Sequence, residues 1–194
     1  MTALKVASYN IHKAVGIDRK YDPARILRVL VEMDADIVVL QEADKRLGKR
    51  PAAIPHFLLE QETDYAVAHL ARNNVSLGWH GNAVLFKKSL TVEALEHIEL
   101  PGLEPRGAVV AEMATRAGPL RVVGMHLDLS GLYRERQIEA IVADIQGRPK
   151  MPTILMRTPY GKQMGALFAT TILSKGFVWV VQDTRGRFDS EGES

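Results

Sequence analysis

The apolar positions of the first forty residues change from a strand pattern to a helix pattern and back. Residues 4–9 alternate as a half-buried strand does. Asp22-Pro23 has the form of a helix start, because Asp is a preferred N-cap and proline fits the first helical turn. Residues 37–40 are continuously apolar, as in a strand buried on both faces. The two strands are expected to be parallel neighbours, so that Asn10 and Glu42 at their carboxyl ends meet at one edge of the sheet.

The middle of the chain predicts mostly strands. After a loop with a short helix at 44–63, strands are expected at 64–69, 81–86, 91–99, 107–114 and 120–126. The last two are expected to form a hairpin, and a helix follows at 132–146. The expected apolar faces of the two helices are Ile26, Leu27, Leu30 and Val31 in the first and Ile138, Ile141, Val142 and Ile145 in the second. A second strand–helix–strand unit is expected at 152–157, 163–174 and 177–181.

Composition indicates a folded domain without pointing to a partner. The chain is 46% hydrophobic and 25% charged, which is typical of a globular core. Its 25 Lys and Arg nearly balance its 23 Asp and Glu, and no basic stripe indicates a dedicated nucleic-acid binder. Without cysteine, a signal peptide or an apolar run long enough to span a membrane, the chain is expected to be cytoplasmic. The oligomeric state stays open.

Polar side chains at strand ends are of the types that a metal-dependent phosphoesterase needs. Magnesium prefers one or two carboxylates plus water, which suits Glu42. Asn10 can hydrogen-bond an oxygen without adding negative charge, and His126 can donate to transition-state oxygens. Taken singly, each has a structural alternative: Glu42 as a solvated carboxylate, Asn10 as a turn cap and His126 as a satisfied histidine. Their joint placement at one edge favours a site.

Several motifs occur in a fixed order, and together they resemble the endonuclease/exonuclease/phosphatase (DNase I-like) superfamily over residues 4–156. These motifs are Ser8-Tyr9-Asn10-Ile11-His12, Gln41-Glu42, Gly81-Asn82-Ala83-Val84-Leu85, Glu104-Pro105-Arg106-Gly107 and His126-Leu127-Asp128. The resemblance implies a four-layer αββα sandwich with its site at the sheet rim. It implies Mg²⁺, with Mn²⁺ as the alternative ion, held or oriented by Glu42 and Asn10. It also implies that Asn10 and His126 act in catalysis and that Arg106 binds substrate. Nucleic acids, lipid head groups and small phosphoesters are all substrates of this superfamily.

The chain departs from that family after residue 156. The family continues with Gly-Asp-Phe-Asn, whose Asp and Asn orient water and phosphate, and it ends with a Ser-Asp-His motif. Here Arg157-Thr158-Pro159 stands in place of the first motif, and no later segment matches the second. We therefore expect a truncated sandwich with impaired catalysis, because such groups act as a unit.

Residues 152–194 are similar to the N-terminal region of cocaine esterase and X-Pro dipeptidyl-peptidase α/β-hydrolases. The similar segments run from Pro152 to Lys162 and from Gly176 to Glu193. The resemblance implies an oxyanion role for Tyr160, although Ser190 does not have the form of a nucleophile elbow. The expected organisation is a phosphoesterase-like domain at 1–150, then a strand–helix–strand hydrolase piece at 151–194 with a flexible tail at 183–194. The alternatives to an impaired phosphodiesterase or phosphatase are an α/β-hydrolase fragment and a non-catalytic chimeric fold.

Overall fold

The protein folds into two four-stranded sheets with helices on their outer faces. The structure, a computed structural model, describes residues 4–102, 105–128 and 130–157. The strands are β1 (Val6–Asn10), β2 (Ile37–Gln41), β3 (Tyr65–Val67), β4 (Ala83–Lys87), β5 (Thr91–Leu100), β6 (Arg106–Thr115), β7 (Gly118–Met125) and β8 (Thr153–Arg157). The helices are α1 (Pro23–Met33), α2 (His56–Glu62) and α3 (Gly131–Gln146), and a short turn covers His12–Ala14.

Strand order brings the ends of distant segments to the same rim. The first sheet has the order β1-β2-β4-β3, and the second has the order β5-β6-β7-β8. β1 and β2 are parallel, with Asn10 opposite Gln41, which confirms the predicted crossover. β6 and β7 form the predicted antiparallel hairpin. The carboxyl ends of β1 and β2 therefore lie together.

Three apolar clusters separate four layers. α1 and α2 pack on the outer face of the first sheet through Ile26, Leu27, Leu30 and Leu59, against Val38, Leu40 and Leu85. The two sheets face each other through Ile37, Val39 and Val84 on one side and Val109, Ala111 and Val122 on the other. α3 covers the second sheet through Ile141, which packs with Val110 and Val123. Alternate residues of β2 thus face the helices and the second sheet, which explains its unbroken apolar sequence.

Two predicted helix faces are partly wrong. In α1, Val31 is 56% exposed although it was expected to face the core. In α3, Ile138 and Val142 are about two-fifths exposed, at 41% and 40%, while Ile141 is fully buried. The buried face of α3 instead includes a polar residue, Gln137. Apolar spacing locates a helix, but the neighbouring layer decides which part of an apolar stripe is covered.

The strand predicted at 152–157 forms as β8 and joins the second sheet. It lies parallel to β7, with Met125 opposite Arg157. The predicted helix at 163–174, the strand at 177–181, Tyr160 and the tail at 183–194 lie outside the described residues. No helix in the described part of the chain is long and apolar enough to cross a membrane.

Candidate functional site

Asn10 and Glu42 meet at the rim where β1 and β2 end. The Asn10 side-chain nitrogen donates to Glu42 Oε1 at 3.1 Å. The Asn10 side-chain oxygen accepts from the backbone N–H of His12 at 3.0 Å, so its amide has a defined orientation. Asn10 therefore positions the Glu42 carboxylate with its nitrogen, and its oxygen is committed to the backbone of the following turn.

Glu42 is an ionised, half-buried carboxylate. Its backbone is left-handed, with φ of 52°, directly after the end of β2. Its other oxygen, Oε2, accepts from the ammonium of Lys13. Burial alone would raise the pKa of Glu42, but the hydrogen bonds from Lys13 and Asn10 and nearby positive charge hold the pKa below its ordinary value. Glu42 therefore carries a full negative charge at neutral pH.

The turn that carries Lys13 has an unusual backbone. His12, Lys13 and Ala14 all have positive φ, at 49°, 59° and 60°. For residues other than glycine this region is sparsely populated, and such strain is concentrated at functional sites. The Lys13 backbone N–H donates to the Glu42 carbonyl at 3.1 Å. The turn is thus fastened to Glu42 through both its backbone and its side chain.

Asp44 is a buried acid that sequence reasoning missed, and it fixes a loop next to the site. Its carboxylate accepts from the backbone N–H groups of Leu77 at 2.6 Å and Gly78 at 3.3 Å. Burial raises the pKa of Asp44 despite these bonds. Ala43 N–H also donates to the Gly81 carbonyl at 2.9 Å. The loop before β4 is therefore held against the segment that follows Glu42. An acid two positions after Glu42 was the available signal.

His126 follows β7 and lies at the same rim. Burial, and after it the charge of Arg106, lowers the pKa of His126, while the charge of Glu42 acts in the opposite direction. A neutral imidazole can both donate and accept one hydrogen bond. Arg106 is half-buried at the start of β6, which is paired with β7 next to His126. The four predicted residues of the first domain are therefore linked: Asn10 bonds to Glu42, and the charges of Glu42 and Arg106 both act on His126.

A second missed residue, Gln137, fixes the segment that carries His126. Gln137 lies on α3 and is fully buried. Its side-chain oxygen accepts from the Asp128 N–H at 2.9 Å, and its nitrogen donates to the Pro101 carbonyl at 2.8 Å. A buried amide bonded at both ends holds two loops in register. A polar residue on an apolar helix stripe was the sequence signal.

The donor set of this rim fits magnesium better than zinc. Glu42 supplies one ionised carboxylate, which matches the preference of Mg²⁺ for one or two carboxylates completed by water. Zinc sites instead use three or four protein ligands drawn from Cys, His, Asp and Glu side chains. Among the described residues, no three His, Cys, Asp or Glu side chains group closely enough to hold a metal ion.

The rim continues to the end of β8. Arg157 pairs in register with Met125, directly before His126. This is the rim position at which the resemblance leads one to expect the start of Gly-Asp-Phe-Asn. The structure therefore places the sequence departure beside the candidate site and not at a remote surface. Tyr160, predicted as an oxyanion donor, lies outside the described residues.

Solved structures with the same fold include three informative ones. An endonuclease/exonuclease/phosphatase from Beutenbergia cavernae is 20% identical, with a TM-score of 0.57, and the match covers 78% of this chain and 46% of that one. TDP2 of D. rerio, complexed with a single-strand DNA product, is 17% identical, with a TM-score of 0.61 and coverages of 84% and 64%. A Bacteroides vulgatus endonuclease/exonuclease/phosphatase is 16% identical, with a TM-score of 0.62 and coverages of 88% and 72%. The chain thus spans less than two thirds of the first two structures, and at these identities the likeness shows the fold alone.

Family models match both predicted segments. No curated protein matches the chain. The X-Pro dipeptidyl-peptidase (S15 family) model matches residues 142–194. The endonuclease/exonuclease/phosphatase family model matches residues 7–157, which is more than half of the chain and includes Asn10, Glu42, Arg106 and His126. The chain therefore belongs to the endonuclease/exonuclease/phosphatase family.

Proposed function

We propose that this chain is a divalent-cation-dependent phosphodiesterase-type domain whose site is the rim around Glu42. One observation carries the proposal. Asn10 and Lys13 hold Glu42 ionised through hydrogen bonds. Its negative charge acts to raise the pKa of His126, which follows a strand of the other sheet. A single fixed carboxylate at the rim of the first sheet is suited to a cation that in turn binds a phosphate.

Each side chain has a distinct role in this proposal. Glu42 holds Mg²⁺ or Mn²⁺, and Asn10 orients the carboxylate. A bound divalent ion would supply Lewis-acid stabilisation of the phosphate charge. His126 is held neutral and can donate its N–H to a phosphoryl oxygen. Arg106, close enough to shift His126, supplies positive charge for the substrate anion.

The substrate we favour is a nucleic acid. The D. rerio TDP2 structure of the same fold contains a single-strand DNA product. In this chain the loop directly after Glu42 carries Lys45, Arg46, Lys49 and Arg50 within six residues, and the first three are exposed. Positive charge beside a phosphate site favours a substrate with further phosphates. Lipid head groups and small phosphoesters are the competing classes.

Catalysis is expected to be weak. The Asp and Asn of the family motif orient water and phosphate, and Arg157-Thr158-Pro159 occupies their place in the sequence. Acid–base groups contribute roughly 10²–10⁴ in rate each. We therefore predict Mg²⁺-dependent hydrolysis of bis-p-nitrophenyl phosphate far below the enzyme median of ~10 s⁻¹. Turnover near that median, lost in His126→Gln, would show that other residues orient the water.

Metal binding tests the proposal directly. Titration calorimetry with Mg²⁺ is expected to show binding that weakens at least tenfold, about 1.4 kcal/mol, in Glu42→Gln. Glu32→Gln is the matched control, because Glu32 is an exposed carboxylate on α1 that loses the same charge. Equal binding by wild type and Glu42→Gln would remove Glu42 from the site and refute the proposal.

A second candidate function rests on the match of residues 142–194 to the X-Pro dipeptidyl-peptidase family. We propose that the described part of this segment, residues 142–157, contributes structure and not acyl transfer. Its first strand, β8, is already a member of the second sheet. A serine–histidine hydrolase needs a nucleophile on an elbow, and Ser190 is not preceded by the required glycine. Ester hydrolysis that a serine reagent abolishes would reverse this assignment.

A further inference from the structure

Lys13 already provides a cation to the carboxylate proposed as the metal ligand. The two oxygens of Glu42 have different partners. Oε1 accepts a hydrogen bond from the neutral amide of Asn10, and Oε2 accepts one from the ammonium of Lys13. Asn10 contributes orientation without charge. Lys13 is therefore the partner whose charge balances the half-buried carboxylate in the absence of another cation.

The two members of this ion pair are unequally placed. The Glu42 side chain is 16% exposed and the Lys13 side chain 33% exposed. Glu42 is held by Asn10 and by a left-handed backbone at a strand end. The Lys13 backbone is also fixed, but its four-carbon stem can rotate its ammonium into water. Loss of the pair would therefore move the ammonium and leave the carboxylate in place.

We propose that Lys13 is an exchangeable counter-ion of Glu42: its ammonium occupies the carboxylate oxygen that a divalent cation requires, and it leaves when that cation binds. This inference rests on the proposed metal site and adds a positioning residue to it. The strained turn at His12–Ala14 has a purpose in this arrangement, because it holds the lysine within reach of Glu42. The ion pair keeps Glu42 ionised and oriented before binding and lowers the apparent affinity for the metal.

The direction of the effect separates competition from a structural role. Removal of a structural support weakens metal binding, whereas removal of a competitor tightens it. Without Lys13, the incoming ion displaces no charge-assisted hydrogen bond and is not repelled by the charge of that ammonium. We expect Lys13→Met to bind Mg²⁺ about tenfold more tightly than wild type, equivalent to ~1.4 kcal/mol.

Calorimetric titration with MgCl₂ alone, on the full chain, tests this expectation. Lys20→Met is the matched control: it removes one positive charge, and Lys20 is exposed between the His12–Ala14 turn and α1. Its affinity should stay within about twofold of wild type. Lys13→Arg keeps the charge and should not tighten binding. Metal-free Lys13→Met should melt below wild type and gain more from saturating Mg²⁺, since a ligand stabilises in proportion to its affinity.

The outcomes separate this inference from the proposed function. Unchanged or weaker binding by Lys13→Met, with binding still lost in Glu42→Gln, overturns the counter-ion role and leaves the metal site standing. Binding that is unaffected by Glu42→Gln overturns both. If Lys13→Met fails to fold, NMR of ¹³C-methylated lysines in wild type replaces it, with the Lys13 signal assigned by its absence in Lys13→Arg. That signal must shift on Mg²⁺ saturation, and an unshifted signal overturns the role.

Discussion

At the scale of single residues, the rim holds one group fully charged and another neutral. The pKa of Glu42 lies below its ordinary value because Lys13 and Asn10 outweigh the effect of burial. The pKa of His126 is lowered by burial and by Arg106. Near neutral pH this pairs a carboxylate with an uncharged imidazole. Perturbed groups of this kind are characteristic of functional sites.

The lowered pKa of His126 predicts a pH dependence of stability. Below the ordinary value of 6.5 the unfolded chain takes up the proton before the folded chain does. The contribution of His126 is therefore fully present above pH 6.5 and is lost as pH falls toward the folded pKa. We expect the free energy of unfolding of His126→Gln, from urea melts between pH 7.5 and about 5, to fall less steeply than that of wild type.

His80 provides a parallel case for this measurement. Burial, and then Arg50, lowers its pKa, so His80→Gln should change the slope in the same direction. Asp44 titrates in wild type and variants alike and cancels in the difference. A His126→Gln slope identical to wild type would mean that His126 is as free to protonate in the folded protein as in the unfolded one.

Sequence reasoning reached the four candidate site residues but not the side chains that hold them in place. The rule that parallel strands end at one edge is local and general, so it placed Asn10 and Glu42 correctly. Lys13 reaches Glu42 only because three successive residues adopt left-handed backbone, which their side chains do not signal. Asp44 and Gln137 act through backbone groups of distant loops. Contacts of that kind join segments that are distant in the sequence, so no local sequence pattern predicts them.

At the scale of elements, α1 is the clearest case of a helix start that the sequence specifies. The Asp22 side chain accepts from the Arg25 N–H at 3.0 Å, and Pro23 is the first helical residue. The chain leaves the helix at Asp34, which is left-handed with φ of 43°. By contrast, α3 shows where such reasoning stops, because Gln137 is buried while Ile138 is half-exposed.

The cap of α1 gives a prediction about stability. Asp22→Ala leaves the first-turn N–H without its side-chain acceptor and should destabilise the protein by about 1 kcal/mol. Asp22→Asn keeps a capping oxygen and should stay within a few tenths of a kcal/mol of wild type. The exposed ion pair of Asp22 with Arg28, at 3.7 Å, adds little to either value. Urea denaturation measures both, and equal losses would assign the effect to charge instead of capping.

At the scale of the whole molecule, the fold depends on how closely the two sheets approach. Gly124 in β7 faces Val39 in β2: a Cβ added to Gly124 would lie 2.6 Å from Val39 Cγ1 and 3.1 Å from Val109 Cγ2. The sequence predicted both strands but contained no information on which residues of the two sheets would meet. In the structure, Val39 of the first sheet packs against Gly124 of the second, which has no side chain to separate them.

This contact predicts a compensating pair of substitutions. Gly124→Ala forces a methyl group into Val39 and should destabilise the protein by about 1–3 kcal/mol. Val39→Ala alone opens space between the sheets and should destabilise it by about 2 kcal/mol. In the double variant the new methyl fills the space left by the valine. Its loss should therefore be smaller than the sum of the single losses by about 0.5–3 kcal/mol, the range of coupling between residues in contact.

Urea melts of the four proteins measure this coupling, and Gly147→Ala is the control. Gly147 ends α3 in ordinary right-handed backbone, and a Cβ there would lie 3.4 Å from the Asp144 carbonyl. Its replacement should change stability by no more than about 0.5 kcal/mol. If the losses of stability of Gly124→Ala and Val39→Ala are additive, the two positions do not interact. The separation of the sheets is then not set by this contact. Coupling of the expected sign would show that Gly124 on β7 sets the local approach of the two sheets, near the strand ends that precede Glu42 and His126.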